Sequence, residues 1–266
     1  MAAVRYRYRR LLVWSIVSPL TSIRRQQAKR AQLQTGVTIV TVSYNTLGYL
    51  QAMVAGVRLY SPPRTPIIVV DNGSVDGCAR WATQQPDVRV VRLPTNVLHG
   101  PAMNLGLALC RTEHLVALDV DAFPISPTWL HELLQPLSQG MHVSGAGYPP
   151  TPEHNVQPYV HACCLAMKTS RFLDQNHTFS PGASWDTGQS ISQREWPQVH
   201  TVPITASRGP GILGSVFGDI VYHNFYAARF LTSALLRIDW VDRGQPEDAW
   251  AAAMDRYFPN GLRCEQ

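Results

Sequence analysis

After residue 36, the hydrophobic positions form short runs rich in β-branched residues, and segments with helical spacing lie between them. Strands that are apolar on both faces are typical of a parallel sheet covered by helices on both sides. The pattern therefore predicts an α/β fold with a mostly parallel central sheet and helices on both faces. The predicted strands are 37–43, 66–71, 88–93 and 114–120, and the helices between them are 46–60, 74–85 and 100–111.

Polar residues mark where two of the predicted helices begin. Ser74 is expected to cap the second helix, and Ser126 followed by Pro127 is typical of the start of another. After residue 140 the pattern is less regular, and 219–225 is interpreted as a final strand or turn. The other predicted strands are 141–146, 159–167 and 199–205, and the other predicted helices are 168–174, 186–196, 226–237 and 246–257.

The composition changes this picture little but excludes several classes of protein. With 266 residues, 45% of them hydrophobic, the chain can bury a substantial core and is not disordered over most of its length. Since no apolar stretch reaches the roughly 20 residues that cross a bilayer, a polytopic membrane protein is excluded. Five cysteines without a C-x-x-C pair argue against a disulfide framework and a structural zinc site, and they favour a reducing, cytoplasmic location.

The net charge of +5 is concentrated at the N-terminus. The first 36 residues hold eight basic side chains and no acidic one, so the remainder carries 15 basic and 18 acidic residues, a net charge of −3. Nucleic acid is therefore not an expected partner. Residues 11–20 are apolar, include Trp14 and lie between two arginine clusters. They are interpreted either as an anchor on the inner, anionic membrane face or as a packing arm or disordered leader.

Three predicted strands end in polar residues. These ends are Ser43-Tyr44-Asn45, Asp71-Asn72-Gly73-Ser74 and Asp119-Val120-Asp121. In open α/β sheets ligands bind beyond the carboxyl ends of the strands, so these residues are expected to share one rim. Two carboxylates at positions i and i+2 point the same way and suit a hard divalent cation that also takes phosphate oxygens.

Four segments together resemble the nucleotide-binding half of family-2-type glycosyltransferases with the GT-A fold. In order they are VTIVTVSYN, IIVVDNGSVDG, NVLHGPAMNLGLA and LVALDVDAFP, and they cover residues 37–130. The resemblance implies a metal-dependent, hexosyltransferase-like enzyme that moves a sugar from a nucleotide-diphospho-sugar to an acceptor hydroxyl. The acceptor would be a glycan, a lipid-linked compound or a small molecule. The cation would be Mn²⁺ or Mg²⁺.

The resemblance also implies roles for individual residues. Asp121 would bind the metal, and Asp119 would contact the ribose or the metal site. The other positions implied in binding the donor are Tyr44, Asn45, Asp71 and Asn104.

The second half of the chain offers further candidates for the chemistry. The segment SWDTGQSIS, 184–192, resembles the acceptor-side segment of such enzymes, and Asp186 is the one carboxylate in it. Asp186 either is the base on the acceptor hydroxyl, which implies inversion at the transferred carbon, or only caps the predicted helix. The resemblance implies a histidine from the C-terminal region as third metal ligand, and His223, in the Tyr-His-Asn end of a predicted strand, is the candidate, with a purely structural role as the alternative. Imidazole suits Mn²⁺ better than Mg²⁺. His99 is a candidate for contact with the diphosphate, and His161 is left without a role.

Two other functions stay open from the sequence. One is a non-catalytic protein that binds sugar nucleotides, and the other is a nucleotidyltransferase of related fold. The predicted organisation is a basic arm at 1–36, a nucleotide-sugar-binding half at 37–130, and an acceptor-binding half with C-terminal helices of the same domain at 131–266.

Overall fold

The main sheet of the computed structural model has seven strands among the described residues, 13–148, 158–182, 185–207, 213–225 and 244–262. Its strands are β1 (Gln34–Ser43), β2 (Ile67–Asp71), β3 (Val88–Arg92), β4 (Thr112–Leu118), β6 (Val143–Tyr148), β7 (Tyr159–Lys168) and β8 (Val199–Val202). Their order across the sheet is β3-β2-β1-β4-β7-β6-β8. All neighbours pair in parallel except those of β7, which runs antiparallel to both β4 and β6. The predicted mostly parallel sheet is confirmed.

Helices cover both faces of this sheet. In chain order they are α1 (Ser18–Lys29), α2 (Leu47–Tyr60), α3 (Cys78–Thr83), α4 (His99–Leu107), α5 (Trp129–Ser138), α6 (Thr169–Asp174), α7 (Gln189–Glu195) and α8 (Gly244–Tyr257). Alternate strand residues face opposite cores: Ile39 packs with α2 and α5, and Val40 packs with α1, α4 and α6. The central strands β1, β2 and β4 are therefore covered on both faces, which is why they are largely apolar.

Helix α4 approaches the sheet very closely at Gly106. A Cβ atom there would lie 2.5 Å from Cγ1 of Val40 and 2.9 Å from Cγ2 of Val70. Only glycine fits this position without moving the helix. The close approach holds the C-terminal end of α4 against β1 and β2.

A second, antiparallel sheet lies at one edge of the molecule. It consists of β5 (Ala122–Pro124), β9 (Ile204–Ala206), β10 (Ser215–Phe217) and β11 (Val221–His223), in the order β5-β11-β10-β9. Phe123 and Tyr222 from this sheet pack against Trp250 of α8, with ring centroids 5.7 and 6.3 Å from that of the tryptophan. This aromatic cluster holds α8 to the small sheet.

The N-terminal segment packs onto the body of the protein. A π-helical turn, Val13–Val17, leads into α1, and Val17 and Ala28 are buried in the core that includes α4. Arg25 donates to the carbonyl of His177, and its guanidinium lies 4.7 Å from the Phe172 ring centre. The packing-arm interpretation therefore describes residues 13–29, while contact with a membrane stays a prediction. Within the described residues, no helix combines the length and the apolar character needed to cross a bilayer.

Two helices begin later than predicted because polar side chains form turns in front of them. Helix α3 begins at Cys78, since Ser74 accepts the amide of Asn45 and Asp76 accepts that of Cys78. Helix α5 begins at Trp129, and the hydroxyl of Ser126 accepts the amide of Thr128 one turn earlier.

Other boundaries also differ from the sequence-based ones. The strand predicted at 199–205 is two strands, β8 and β9, because Pro203 has no N–H to continue the ladder. Helix α4 ends at Leu107 and α7 begins only at Gln189. The helix predicted at 226–237 lies outside the described residues.

Candidate active site

The loops that follow β1, β2 and β4 open into one cleft of about 350 Å³. It lies where the strand order reverses, between β1 and β4, which is the usual ligand position in open α/β sheets. Its volume is within the range of small-molecule sites. Its lining residues are Val42, Tyr44, Thr46, Asn72, Asn96, His99, Asp119, Val120, Asp121, Tyr148, Tyr159, His161, Ala162, Asp186, Thr187, His223 and Phe225.

Asp119, Asp121 and His223 meet at the centre of this cleft. Oδ1 of Asp121 lies 3.1 Å from Nε2 of His223, and Oδ2 of Asp119 lies 3.8 Å from the same nitrogen. One ligand atom from each residue lies within 4.8 Å of the others. Two carboxylates and an imidazole can hold a hard or intermediate divalent cation such as Mn²⁺.

His223 reaches the carboxylates through the pairing of β5 with β11. Strand β5 begins at Ala122, directly after Asp121, and Ala122 is opposite His223 in the ladder. The amide of Asn224 also donates to the carbonyl of Asp121, at 3.0 Å. Residues about a hundred positions apart are thus held together by backbone hydrogen bonds.

The electrostatics of Asp121 reflect its burial next to an imidazole. Burial raises the pKa of the Asp121 carboxyl, but the charge and hydrogen bond of His223 outweigh burial and hold that pKa below its ordinary value. The carboxylate form is therefore favoured in a buried position, as a cation ligand requires.

His99 extends the polar centre towards α4. Its Nε2 lies 3.4 Å from Oδ1 of Asp119, and His99 is the first residue of α4. The preceding residue, Leu98, has φ 75° and ψ 159°, a conformation that is essentially restricted to glycine. The strained residue therefore lies at the turn that brings His99 into the cleft.

The residues predicted to bind the nucleotide are divided between the cleft and its supports. Tyr44 lines the cleft. Asn45 lies outside the lining, and its side-chain oxygen accepts the amide of Val75, joining the loops after β1 and β2. Asp71 is fully buried; one oxygen accepts the amide of Ser74, and the other lies 3.8 Å from Nε of Arg92.

Asn104 is also placed behind the cleft rather than in its lining. Its side-chain oxygen accepts the amide of Phe179, and its side-chain nitrogen donates to the hydroxyls of Thr178 and Ser180. It therefore fixes the segment 178–180 against α4.

Two asparagines that were given no role from the sequence line the cleft. Asn72 accepts the amide of Val97 and donates to Asn96, while Asn96 accepts the amide of Leu98. The sequence signal was present, since Asn72 follows Asp71 at the end of β2 and Asn96 begins the third family-like segment. These contacts hold the loop before α4.

Asp186 lines the cleft from a turn before α7. The helix predicted to open at this residue begins at Gln189, and one carboxylate oxygen of Asp186 accepts the amide of Thr187 at 2.7 Å. The side chain is exposed to solvent. Burial, and after it the nearby Asp186, raise the pKa of Tyr159, so a carboxylate and a phenol share this end of the cleft.

An aromatic wall lies at the same end, and sequence reasoning missed it. The rings of Tyr148 and Tyr159 stack with centroids 5.4 Å apart, and His161 stacks on Tyr148 at 5.5 Å. Tyr159, His161 and Cys163 occur at alternate positions of an otherwise apolar strand, which is the signal that could have identified them.

The register of β7 changes beside this wall. Gly147 pairs with Val160 whereas Gly145 pairs with Leu165, so β7 has extra residues between two pairs. A Cβ atom on Gly145 would lie 2.1 Å from the carbonyl oxygen of Cys164, which requires glycine there. Such irregularities redirect side chains next to binding sites.

Comparison with known proteins links this arrangement to one family. The family model described as Glycosyl transferase family 2 matches residues 38–185, more than half of the chain. None of the curated proteins matches the sequence.

Solved structures of glycosyltransferases resemble the fold. A mannosyltransferase from Pyrobaculum calidifontis, PcManGT, in complex with GDP-Man and Mn²⁺, is similar at 18% identity and a TM-score of 0.52; the match covers 73% of this chain and 65% of the mannosyltransferase. TarS 1-349 from S. aureus, in complex with UDP-GlcNAc, is similar at 14% identity and a TM-score of 0.51, over 85% of this chain and 74% of TarS. The chain thus spans slightly less than two thirds of the mannosyltransferase. These likenesses, with the family match, confirm the predicted GT-A fold.

Proposed function

The chain belongs to glycosyl transferase family 2, and from this we propose that it transfers a sugar from a nucleotide-diphospho-sugar to an acceptor hydroxyl with the help of a divalent cation. The observation that carries the proposal is the meeting of Asp119, Asp121 and His223 in the cleft at the end of β4. The complexes of similar folds with GDP-Man and Mn²⁺ and with UDP-GlcNAc agree with it.

Asp119, Asp121 and His223 would hold the cation. Their donor atoms fit Mn²⁺ or Mg²⁺, because two carboxylate oxygens are hard ligands and the imidazole shifts the preference towards Mn²⁺. When bound, such a cation supplies positive charge at the diphosphate, the leaving group of the donor. His99, 3.4 Å from Asp119, would contact the same diphosphate.

The nucleotide would lie between the ends of β1 and β2. Tyr44, Asn72 and Asn96 would form the wall that it touches, since they line that part of the cleft. Asp71 lies outside the lining of the cleft, but its buried Oδ2 has no hydrogen-bond partner among the described residues and would accept from the base. Asn45 and Asn104 would act by holding the surrounding loops, because their side chains are bonded to Val75 and to residues 178–180.

Asp186 would act as the general base. Its carboxylate would accept the proton of the acceptor hydroxyl while the oxygen attacks the anomeric carbon from the side opposite the diphosphate, so that one C–O bond forms as the other breaks. This sequence inverts the configuration. The exposed position of Asp186 next to the aromatic wall supports a role on the acceptor side.

A screen of thermal stability tests the donor and the cation together. UDP-, GDP- and dTDP-sugars are added to the protein with and without Mn²⁺, because a ligand that binds the folded state raises the melting temperature. One donor should give a shift that depends on Mn²⁺. Asp121→Asn should abolish that dependence, and the exposed Asp255→Asn should retain it.

Turnover then separates an enzyme from a binding protein. The protein should release the nucleoside diphosphate from the stabilising donor when Mn²⁺ is present. Donor binding without any release, across acceptors of the glycan, lipid-linked and small-molecule classes, would favour a non-catalytic binding protein. Pyrophosphate as the product would instead identify a nucleotidyltransferase.

A further inference from the structure

A thiol and two imidazoles meet beside the carboxylate pair. One ligand atom from each of His161, Cys163 and His223 lies within 4.8 Å of the other two. Cys163 is fully buried and His223 is 3% exposed, whereas His161 is half-buried and lines the cleft. The function proposed above uses neither His161 nor Cys163.

The backbone of β7 brings these groups together. His161 and Cys163 are two positions apart on the strand, so they project from the same side, next to the register change opposite Gly145 and Gly147. Nδ1 of His161 accepts the amide of Cys163, at 3.1 Å. Coordination through that nitrogen would cost this one hydrogen bond.

His223 has a ring nitrogen to spare. Its Nε2 faces Asp121 and Asp119, but its Nδ1 is buried and has no hydrogen-bond partner within the described part of the chain. A buried polar atom without a partner costs free energy unless a ligand occupies it. This second observation, independent of the spacing, points to a ligand at the ring.

We propose that His161, Cys163 and His223 form a second cation site, selective for thiophilic divalent ions such as Zn²⁺. One thiolate and two imidazoles are a zinc donor set, and three protein ligands leave a fourth position for water. Mn²⁺ and Mg²⁺ prefer oxygen ligands, and Mn²⁺ binds nitrogen and sulfur donors more weakly than Zn²⁺ does. The two sites share His223, and a neutral imidazole has a lone pair on one ring nitrogen at a time, so Zn²⁺ on the thiol side competes with the cation on the carboxylate side.

Zinc binding would remove the proton of the Cys163 thiol. Burial raises the pKa of the Cys163 thiol, and the charges of Asp119 and Asp121 raise it further, so the sulfur lies in a negative potential. On zinc binding, a zinc–sulfur bond forms, the S–H bond breaks, and the proton passes to solvent. No electrons are transferred. Because binding releases a proton, zinc affinity rises with pH.

Zinc affinity of the protein without added metal tests the site directly. A chromophoric chelator competes for Zn²⁺, and Co²⁺ serves as a spectroscopic probe because a cobalt–thiolate bond gives a charge-transfer absorption band. Cys163→Ser should bind Zn²⁺ about 100-fold more weakly, the share of one ligand in a strong zinc site, and should lack the cobalt band.

Cys164→Ser is the matched control. Cys164 is the next residue and is equally buried, but it belongs to neither group of ligands. It should keep both the zinc affinity and the cobalt band. Should Cys163→Ser fold poorly, His161→Gln, on the cleft side, should weaken zinc binding in a protein whose circular dichroism is unchanged.

Two results would overturn the site: wild-type zinc affinity in the variants of Cys163 and His161, or a wild-type cobalt complex without a thiolate band. Zinc binding itself is independent of the proposed function, and only the competition rests on it. In turnover assays Zn²⁺ should inhibit, and added Mn²⁺ should reverse the inhibition. Zinc bound at Cys163 without any dependence of turnover on Mn²⁺ would reject the proposed cation role and leave the zinc site intact.

Discussion

Leu98 has a backbone conformation that is unfavourable for a residue with a side chain. A φ of 75° and a ψ of 159° destabilise the folded state by about 1–3 kcal/mol for a residue other than glycine. A glycine there would avoid this strain but would lose about 0.5–1 kcal/mol of stability, because its unfolded chain has more conformational entropy. Because Leu98 is 41% exposed, its side chain contributes little burial. Leu98→Gly should therefore raise the free energy of unfolding by about 1 kcal/mol in urea titrations.

Leu59→Gly is the comparison for this prediction. Leu59 is 59% exposed and lies inside α2, where glycine costs about 1 kcal/mol. A fall in stability for both variants would show that Leu98 carries no backbone strain.

Asp186 allows a direct test of the proposed base. Asp186→Asn keeps the oxygen that accepts the Thr187 amide, so the turn is retained while the basicity is lost. Turnover should fall by about 10²–10⁴-fold, the usual contribution of a positioned base, with donor affinity nearly unchanged.

Steady-state kinetics and the anomeric configuration of the product decide this prediction. The exposed Asp174→Asn should turn over normally. Near-normal turnover of Asp186→Asn, or a product with the configuration of the donor, would contradict the base and leave Asp186 to position the acceptor.

Individual residues differ in how far the sequence could place them. Asp119 and Asp121 follow a buried strand, so their position at its end was predictable from the run of apolar residues before them. The roles of the Asn45 and Asn104 side chains were not predictable. Each accepts a backbone amide of another loop, and a sequence does not show which amides need a partner in the folded chain. His161 was missed because its neighbours in the cleft come from other strands.

At the scale of elements, the segment 13–30, made of the π-helical turn and α1, has an outer face that nothing in the described structure covers. Ile16 and Ile23 are 54% and 53% exposed, and Arg24, Lys29 and Arg30 belong to the same segment. We expect this face to bind vesicles with anionic lipid, and Ile16→Ser with Ile23→Ser to weaken that binding several-fold in co-sedimentation. Raising the salt concentration should weaken it further, since the charges are exposed.

Point substitutions are required here because the segment is part of the core. Deleting residues 1–30 would expose the core surface covered by Val17 and Ala28, so loss of function would have two causes. Leu59→Ser, another exposed apolar residue on a helix, should leave vesicle binding unchanged. Equal binding by the double variant and the wild type would remove the membrane interpretation.

The elements most faithfully predicted are those whose pattern repeats. Strands β1, β2 and β4 appear in the sequence as apolar runs, since both of their faces are largely buried, whereas β3 lies at the edge of the sheet and is only partly buried. Helix starts were less predictable, because Ser74 and Ser126 form turns that compete with capping. The register change in β7 was not predictable, because its sign in the sequence is a glycine at 145 of the neighbouring β6, and glycines occur for many other reasons.

At the scale of the molecule, Glu195 connects parts of the second half. It accepts hydrogen bonds from Arg171 of α6 and pairs with His142 and His177. Burial raises its pKa, but the hydrogen bonds of Arg171 and His177 outweigh burial and lower it. Burial also lowers the pKa of His177 by more than Glu195 raises it.

Both shifts predict that acid destabilises the fold. The unfolded chain binds more protons in each case, so stability should fall first as pH drops through the unfolded histidine value of 6.5 and again below 4.5, where the unfolded glutamate protonates. Glu195→Gln should lower the free energy of unfolding by about 2 kcal/mol at neutral pH, because the guanidinium of Arg171 and the imidazole of His177 lose a charged acceptor.

Urea titrations across this pH range check the linkage. The difference in the free energy of unfolding between Glu195→Gln and wild type should become smaller as pH falls below 4.5, where wild-type Glu195 gains its proton. The exposed Glu113→Gln should follow the wild type throughout. A constant difference from neutral to acid pH would show that Glu195 stabilises by packing and not by charge.

The boundaries predicted at residues 36 and 130 stay predictions, but the sheet crosses the second of them. Strands β6, β7 and β8 extend the layer that β1 to β4 begin. Sequence reasoning could recognise the first part by its regular alternation of strands and helices. It could not derive the antiparallel insertion of β7, because strand order depends on contacts between distant segments.

The pairing of β5 with β11 sets a minimum length for a complete cation site. A chain truncated before residue 221 would retain Asp119 and Asp121, together with the loops around the proposed nucleotide pocket. It would lack the imidazole of His223. The residues proposed to recognise the nucleotide and the imidazole proposed to complete the cation site are thus encoded in separate stretches of the gene. During synthesis, the ribosome completes the former about a hundred codons before the latter.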